Sequence, residues 1–167
     1  MKNLVLFGFM GSGKSTIGRL ASSELKLPFI DTDAEIEHRQ KIPVSEIFEK
    51  QGEAAFRGIE AQLIEELSQK EGVIIATGGG AILRQQNIDH LKRNGIVVFL
   101  HVDEETVLRR TSSNQNRPLL KGNAKENIHA LMTARAPLYA ALPYQVETSG
   151  RTSHQVLNEV LRIYRTS

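Results

Sequence analysis

Gly8-Phe9-Met10-Gly11-Ser12-Gly13-Lys14-Ser15 fits the pattern G-x-x-x-x-G-K-[ST] at every fixed position. The residue types follow from the chemistry of holding a polyphosphate. Glycines permit positive φ and close backbone approach, so successive N–H groups can point inward at phosphate oxygens. Lys14 can bridge the β- and γ-phosphates, and the Ser15 hydroxyl can ligate Mg²⁺. A helix starting near Ser15 adds the positive end of its dipole. With glycine at about 7% of average composition, a chance match in a chain of this length is about one in two hundred. The stretch also lies between an apolar run, Leu4–Phe7, and a 3.6-period pattern of Ile17, Leu20, Ala21 and Leu25. That is the strand–loop–helix setting the motif requires. It implies nucleotide phosphate binding and leaves the nucleotide and the reaction open.

Outward from this loop, short apolar runs alternate with helical patterns. The runs are Leu4–Phe7, Pro28–Ile30, Val73–Ala76, Ile96–Leu100 and Gln145–Glu147. Near-continuous apolar runs bounded by Gly, Asp or Pro suit strands buried on both faces. Helical stripes are predicted at Phe56, Ile59, Leu63, Ile64 and Leu67, at Ile128, Leu131, Met132 and Leu138, and at Val156, Leu157, Val160, Leu161 and Tyr164. Thr32-x-x-Glu35, Asn123-x-x-Glu126 and Thr152-x-x-Gln155 resemble capping boxes. Strand–helix alternation predicts an α/β fold in three layers, a parallel sheet between helices, with ligands at the carboxyl ends of the strands.

The chain has 167 residues, which suits a single domain spanning 1–167. Apolar residues at 40% and charged residues at 24% mark an ordinary globular chain. No apolar run reaches membrane-spanning length, and the apolar stretch after Met1 is too short for a secretory signal. The absence of cysteine excludes disulfides, thiolate metal sites and a cysteine nucleophile, and fits a cytoplasmic location. Net charge is +2, basic residues are spread along the chain and aromatic residues are few, which argues against a nucleic-acid surface. The histidines show no metal-ligand spacing. No sizeable apolar surface stripe is left over, so a monomer is expected.

Other features fall at the expected strand ends. Asp31 and Asp33 close the second run at spacing two, so in extended chain they share a face. A phosphoryl-transfer site needs one carboxylate near Mg²⁺ and one near the attacking hydroxyl; helix capping is the plain alternative. Gly78, Gly79 and Gly80 follow the third run, where three glycines favour a side-chain-free wall for a ligand over a simple turn. Arg57 has Glu53 and Glu60 at helical spacing, the ordinary pattern of a surface ion pair. Arg135 lies on the apolar stripe of its helix, where an unpaired charge is rare; an anionic ligand accounts for it. Residues 112–123 are polar and aperiodic, the pattern of a mobile lid, and carry Arg117, which can reach transferred phosphate.

Together these pieces resemble the shikimate kinase family: GFMGSGKST at 8–16, DTD at 31–33, FRGIE at 56–60, TGGG at 77–80, RRTSSNQNRPLL at 109–120 and RAPLY at 135–139. The resemblance implies a P-loop NTPase fold of the adenylate-kinase kind, with a central five-stranded parallel sheet and substrate-binding helices over about 33–62. It implies transfer of the ATP γ-phosphate to the 3-hydroxyl of shikimate, with Mg²⁺ as cofactor. By motif, Gly11, Ser12, Gly13, Lys14, Ser15 and Thr16 would hold ATP, and Arg110 and Arg151 would contact its adenine. Ser15 and Asp31 would serve the metal, Asp31 through water. Asp33 would bind the acceptor hydroxyls and take the proton. Arg57 and Arg135 would hold the shikimate carboxylate against Gly78–Gly80, and Arg117 would be the lid arginine. Lys14, Asp33 and Arg117 are thus the implied catalytic set.

One segment departs from the family pattern. After Tyr139, Ala140-Ala141-Leu142-Pro143-Tyr144 stands where the family carries acidic residues. From the residues alone, another small-metabolite kinase or a nucleotide switch stays open, although the Asn-Lys-x-Asp guanine motif of a switch is absent.

Overall fold

A computed structural model describes residues 1–111 and 123–167. Strands β1 (Asn3–Gly8), β2 (Phe29–Asp31), β3 (Ile74–Ala76), β4 (Gly95–His101) and β5 (Tyr144–Glu147) form one parallel sheet in the order β2-β3-β1-β4-β5. Between them run α1 (Lys14–Leu25), α2 (Thr32–Gln40), α3 (Val44–Gln51), α4 (Glu53–Ser68), a 3₁₀ turn at Ala81–Leu83, α5 (Gln85–Arg93), α6 (Glu104–Thr111), α7 (Ala124–Ala140) and α8 (Ser153–Thr166).

The sheet is buried on both faces because its strands are apolar at successive positions, and the two-residue repeat divides them between two cores. Val5, Phe7, Ile75, Val97 and Phe99 pack with Ile36, Ile47, Phe56, Ile64, Leu91 and Tyr139 from α2 to α5 and α7. Leu4, Leu6, Ile74, Val98, Leu100 and Val146 pack on Ile17 and Ala21 of α1 and Val156 and Val160 of α8. Each fully buried aliphatic side chain contributes about 1.5–3 kcal/mol relative to exposure, so the two cores dominate the stability of the fold. A smaller cluster of Phe9, Met10, Val102, Val107 and Ile128 seats the loop after β1 on α6 and α7. Strand β1 lies between β3 and β4. The chain leaves it toward one edge of the sheet and later returns past it to the other, which opens a crevice at its carboxyl end.

Local expectations hold in most places and fail in three. On α4 the core position goes to Glu60, fully buried, while Ile59 is only half-buried. On α7 Leu138 is exposed and Tyr139 is buried in its place beside Arg135. Thr32 does not cap α2. It lies inside the helix, and Asp31 is the cap, its Oδ1 accepting from Ala34 N at 3.1 Å. Asn123 does cap α7 through Glu126 N, and Thr152 forms both arms of a capping box with Gln155. Thr152→Ala is expected to cost about 1 kcal/mol, read as a fall of about 2–4 °C in thermal midpoint without change in catalysis.

Candidate active site

Gly11 and Gly13 hold the loop after β1 open with φ of 78° and 93°, conformations in which a Cβ would be strained. Gly13 caps α1, so the first N–H groups of that helix face the crevice. Lys14 folds back over the loop, donating to Gly8 O at 2.5 Å and Phe9 O at 3.2 Å. One turn into the crevice, Ser15 Oγ donates to Asp31 Oδ2 at 2.6 Å. Asp31 therefore does two jobs, one oxygen capping α2 and the other meeting Ser15. A hydroxyl with a carboxylate behind it suits Mg²⁺ held directly by Ser15 and through water by Asp31. Among the described residues no three His, Cys, Asp or Glu side chains gather into a metal site. The pair thus fits a magnesium ion completed by phosphate oxygens and water, the usual way that ion is held.

On one side of the loop a cleft of ≈ 400 Å³ is lined by Gly11, Ser12, Gly13, Thr16, Ile17, Arg110, Thr148, Arg151, Ser153 and Val156. It is walled by α6 and by the junction of β5 with α8. Arg110 Nη1 donates to Gly11 O at 2.7 Å. Arg151 is fixed by Glu147 O at 2.9 Å and by Glu159 Oε2 at 2.5 Å. Both arginines thus border the space next to the phosphate loop, large enough for a nucleoside.

On the other side lies the glycine triplet, positioned by Thr77 Oγ1 bonding Leu6 O at 3.0 Å and by Gly78 N donating to Thr32 Oγ1 at 3.0 Å. Four charged side chains converge there. A Cβ on Gly78 would lie 2.5 Å from Asp33 Oδ1 and 2.9 Å from Glu60 Oε2. A Cβ on Gly79 would lie 3.6 Å from Arg135 Nη1 and 3.8 Å from Met10 N, and one on Gly80 would overlap the Arg57 guanidinium. Gly78 and Gly80 are therefore glycine because side chains from α2 and α4 occupy the space a Cβ would need, while at Gly79 the Arg135 guanidinium of α7 comes only to van der Waals contact. The triplet also touches the phosphate loop, so both arginines stand beside the same crevice as Lys14.

Each guanidinium is held. Arg135, only 3% exposed, donates to Gly79 O at 3.0 Å and lies 5.6 Å from the Phe9 ring centroid. Tyr139 Oη donates to the same carbonyl at 2.9 Å, its ring stacked on Phe99 at 4.4 Å. Arg57 lies over Phe48 and Phe56 and bonds Glu60 Oε1 at 3.0 Å, with Glu53 at 3.6 Å. Its main pair is buried, so the surface-pair reading of Arg57 fails. Burial raises the Glu60 carboxyl to about 7, against the pull of Arg57 and with the push of the Asp33 charge. Burial likewise raises the Tyr139 phenol to about 12, so it stays neutral and can donate.

Residues 112–122, with Arg117 and all but the last residue of the expected lid, lie outside the described residues. Glu60 and Phe9 escaped the sequence reading as members of the site, and Tyr139 entered it only within the motif at 135–139. For Glu60 the signal was present: it falls four residues after the core residue Phe56, on the buried stripe. The divergent segment after Tyr139 forms a tight turn in which Leu142 N bonds Tyr139 O. Gln145 Nε2 donates to Tyr139 O at 2.9 Å and Leu142 O at 3.0 Å. An uncharged side chain thus closes the end of α7 and leaves Arg135 and Tyr139 in place.

Comparison with known proteins gives a consistent answer. The family model for shikimate kinase matches residues 10–165. A shikimate kinase of Pelotomaculum thermopropionicum is 41% identical over 166 residues, covering 99% of this chain and 96% of the relative. One from Pseudomonas entomophila is 46% identical over 163 residues, covering 96% of this chain and 95% of the relative. A solved structure of shikimate kinase from Acinetobacter baumannii in complex with shikimate superposes with a TM-score of 0.95 at 37% identity, covering 99% of this chain and 94% of that chain.

Proposed function

We propose, because the chain belongs to the shikimate kinase family, that it transfers the γ-phosphate of ATP to the 3-hydroxyl of shikimate. The observation that carries this reading is the meeting of two guanidiniums and a carboxylate on one glycine wall beside the phosphate loop. Two arginines bonding one acceptor carboxylate give strong, directional recognition. Each charge-assisted bond contributes roughly 1.5–3 kcal/mol, more than a surface ion pair of about 0–1 kcal/mol.

In this reading ATP lies with its base in the cleft between Arg110 and Arg151 and its phosphates over Gly11–Lys14. Lys14 leaves the carbonyls of Gly8 and Phe9 for the phosphate oxygens, exchanging neutral acceptors for charged ones. Ser15 and Asp31 would hold Mg²⁺, which supplies neutralisation of phosphate charge. Arg57 and Arg135 hold the acceptor carboxylate, and Asp33 orients the hydroxyl and receives its proton. Arg117 is assigned to the transferred phosphate on its motif alone. Positioning and charge stabilisation supply most of the rate, since the loose transition state leaves little covalent work to the protein. Among the described residues no helix is long and apolar enough to cross a membrane, and the reading places the enzyme in the cytoplasm as a monomer.

A coupled ADP-release assay with shikimate, gluconate and nucleoside monophosphates tests the acceptor. Turnover is expected with shikimate at a kcat/KM at least about a hundredfold above the others, because gluconate carries its carboxylate on an open chain and a nucleotide carries none, so neither presents acid and hydroxyl in the geometry of this site. Comparable turnover with gluconate or a nucleotide overturns the assignment.

A further inference from the structure

We infer that Glu60 is a positioning residue that takes up a proton when the acceptor carboxylate binds, so that acceptor affinity is tied to pH. The inference deepens the proposed acceptor site and rests on Arg57 and Arg135 holding that carboxylate.

The geometry comes first. Glu60 is fully buried on α4. Its Oε1 accepts from Arg57 Nη1 at 3.0 Å. Its Oε2 is buried with no hydrogen-bond partner among the described residues and faces Gly78, where a Cβ would lie 2.9 Å away. A carboxylate oxygen sealed in that way is costly when charged and cheap when it carries a proton.

The charges acting on Glu60 come from Arg57 on its own helix, Asp33 on α2 and Arg135 on α7. Tyr139 on α7 is neutral. Elsewhere on α2, Arg39 is spent on Glu35 and Glu66, and Glu37 accepts from Val44 N. On α3, Glu46 pairs with Lys50, and on α5 Asp89, Lys92 and Arg93 are exposed. The pocket therefore sets two guanidiniums against the carboxylates of Asp33 and Glu60, with the exposed Glu53 3.6 Å from Arg57 at its rim. A bound acceptor carboxylate adds a further negative charge beside the buried Glu60. It also competes with Glu60 for Arg57. Both effects favour the protonated form of Glu60, and the proton comes from solvent.

The sign follows. Burial already sets the free carboxyl near neutrality, and the acceptor moves it higher. Below the free value Glu60 is protonated in both states, and affinity does not change with pH. Between the free and the bound values binding takes up a proton, and affinity falls by up to about tenfold per pH unit as pH rises.

Calorimetric titration of the full chain with shikimate, in two buffers of different ionisation enthalpy at about pH 7.5, reads that proton directly. Net uptake is expected, and Glu60→Gln is expected to abolish it and to flatten the affinity over about pH 6–9. Shikimate binding without uptake, or uptake that survives in Glu60→Gln, overturns the inference and leaves the acceptor assignment standing. Absence of shikimate binding at every pH overturns both. If Glu60→Gln does not fold, the infrared carbonyl band of ¹³C-glutamate-labelled protein decides instead. A band from a protonated carboxyl must grow on adding shikimate, and no growth refutes the idea.

Discussion

Asp33→Asn is expected to lower kcat with shikimate by about 10²–10⁴-fold, the range for removing a general base, while the thermal midpoint stays within about 2 °C of the parent chain, less than 1 kcal/mol. The separation of the two readouts follows from which carboxylate does which job. The cap of α2 is Asp31, through Ala34 N, so position 33 is released from that duty. Asparagine keeps the shape of aspartate and a carbonyl oxygen, but it cannot accept a proton. Removing the negative charge also relieves Glu60, whose carboxyl the Asp33 charge pushes up, so stability is not expected to fall. A matched loss of stability and activity would mean that Asp33 is structural, and the assigned base would be wrong.

Arg135→Ala should reduce kcat/KM for shikimate by about 10²–10⁴-fold. The figure is two lost charge-assisted bonds at about 1.5–3 kcal/mol each, converted at tenfold per 1.4 kcal/mol. ATP binding, measured separately with a fluorescent nucleotide, is expected to change by less than about threefold, under 1 kcal/mol. The selectivity comes from location. Arg135 faces Gly79 and Phe9, whereas the nucleotide cleft is bordered by Arg110 and Arg151 on the far side of the loop. Tyr139 still donates to Gly79 O in the variant, so the glycine wall keeps a partner for that carbonyl. If shikimate turnover persists at the parent level, Arg135 does not hold the acceptor. If nucleotide binding collapses in parallel, the two sides of the crevice are not separable in the way described.

The two variants also differ in kinetic form. Loss of a base acts on kcat, because the proton moves only in the transition state. Loss of a clamp that grips substrate and transition state alike acts mainly on KM. Shikimate KM should therefore rise in Arg135→Ala more than in Asp33→Asn.

Much of the molecule is written locally. The G-x-x-x-x-G-K-[ST] loop depends on backbone conformations that only its own glycines permit, with φ of 78° and 93° at Gly11 and Gly13. The strand runs are continuous and apolar because both faces of a parallel sheet are covered, and that property shows without any partner in view. Thr152 and Gln155 form their capping box within one helical turn. Such features are legible because the atoms that interact are neighbours along the chain. Family motifs extend the reach, since they carry Asp33, Arg57 and Arg135 as a set.

What the chain does not state is which distant groups share a space. Arg57 has the sequence pattern of a surface pair, and only the fold packs it with Glu60 against the glycine triplet, Glu60 at Gly78 and Arg57 at Gly80. Ile59 and Glu60 are neighbours that differ in burial because α3 and α5 pack on α4 at one rotation of the helix. A 3.6-residue period fixes that rotation only to within one position. Leu138 and Tyr139 exchange places for the same reason, and Tyr139 is kept by its stack on Phe99 and its bond to Gly79 O. The raised Glu60 carboxyl is likewise tertiary in origin. Desolvation depends on everything around the group, whereas sequence spacing describes only what lies on its own helix.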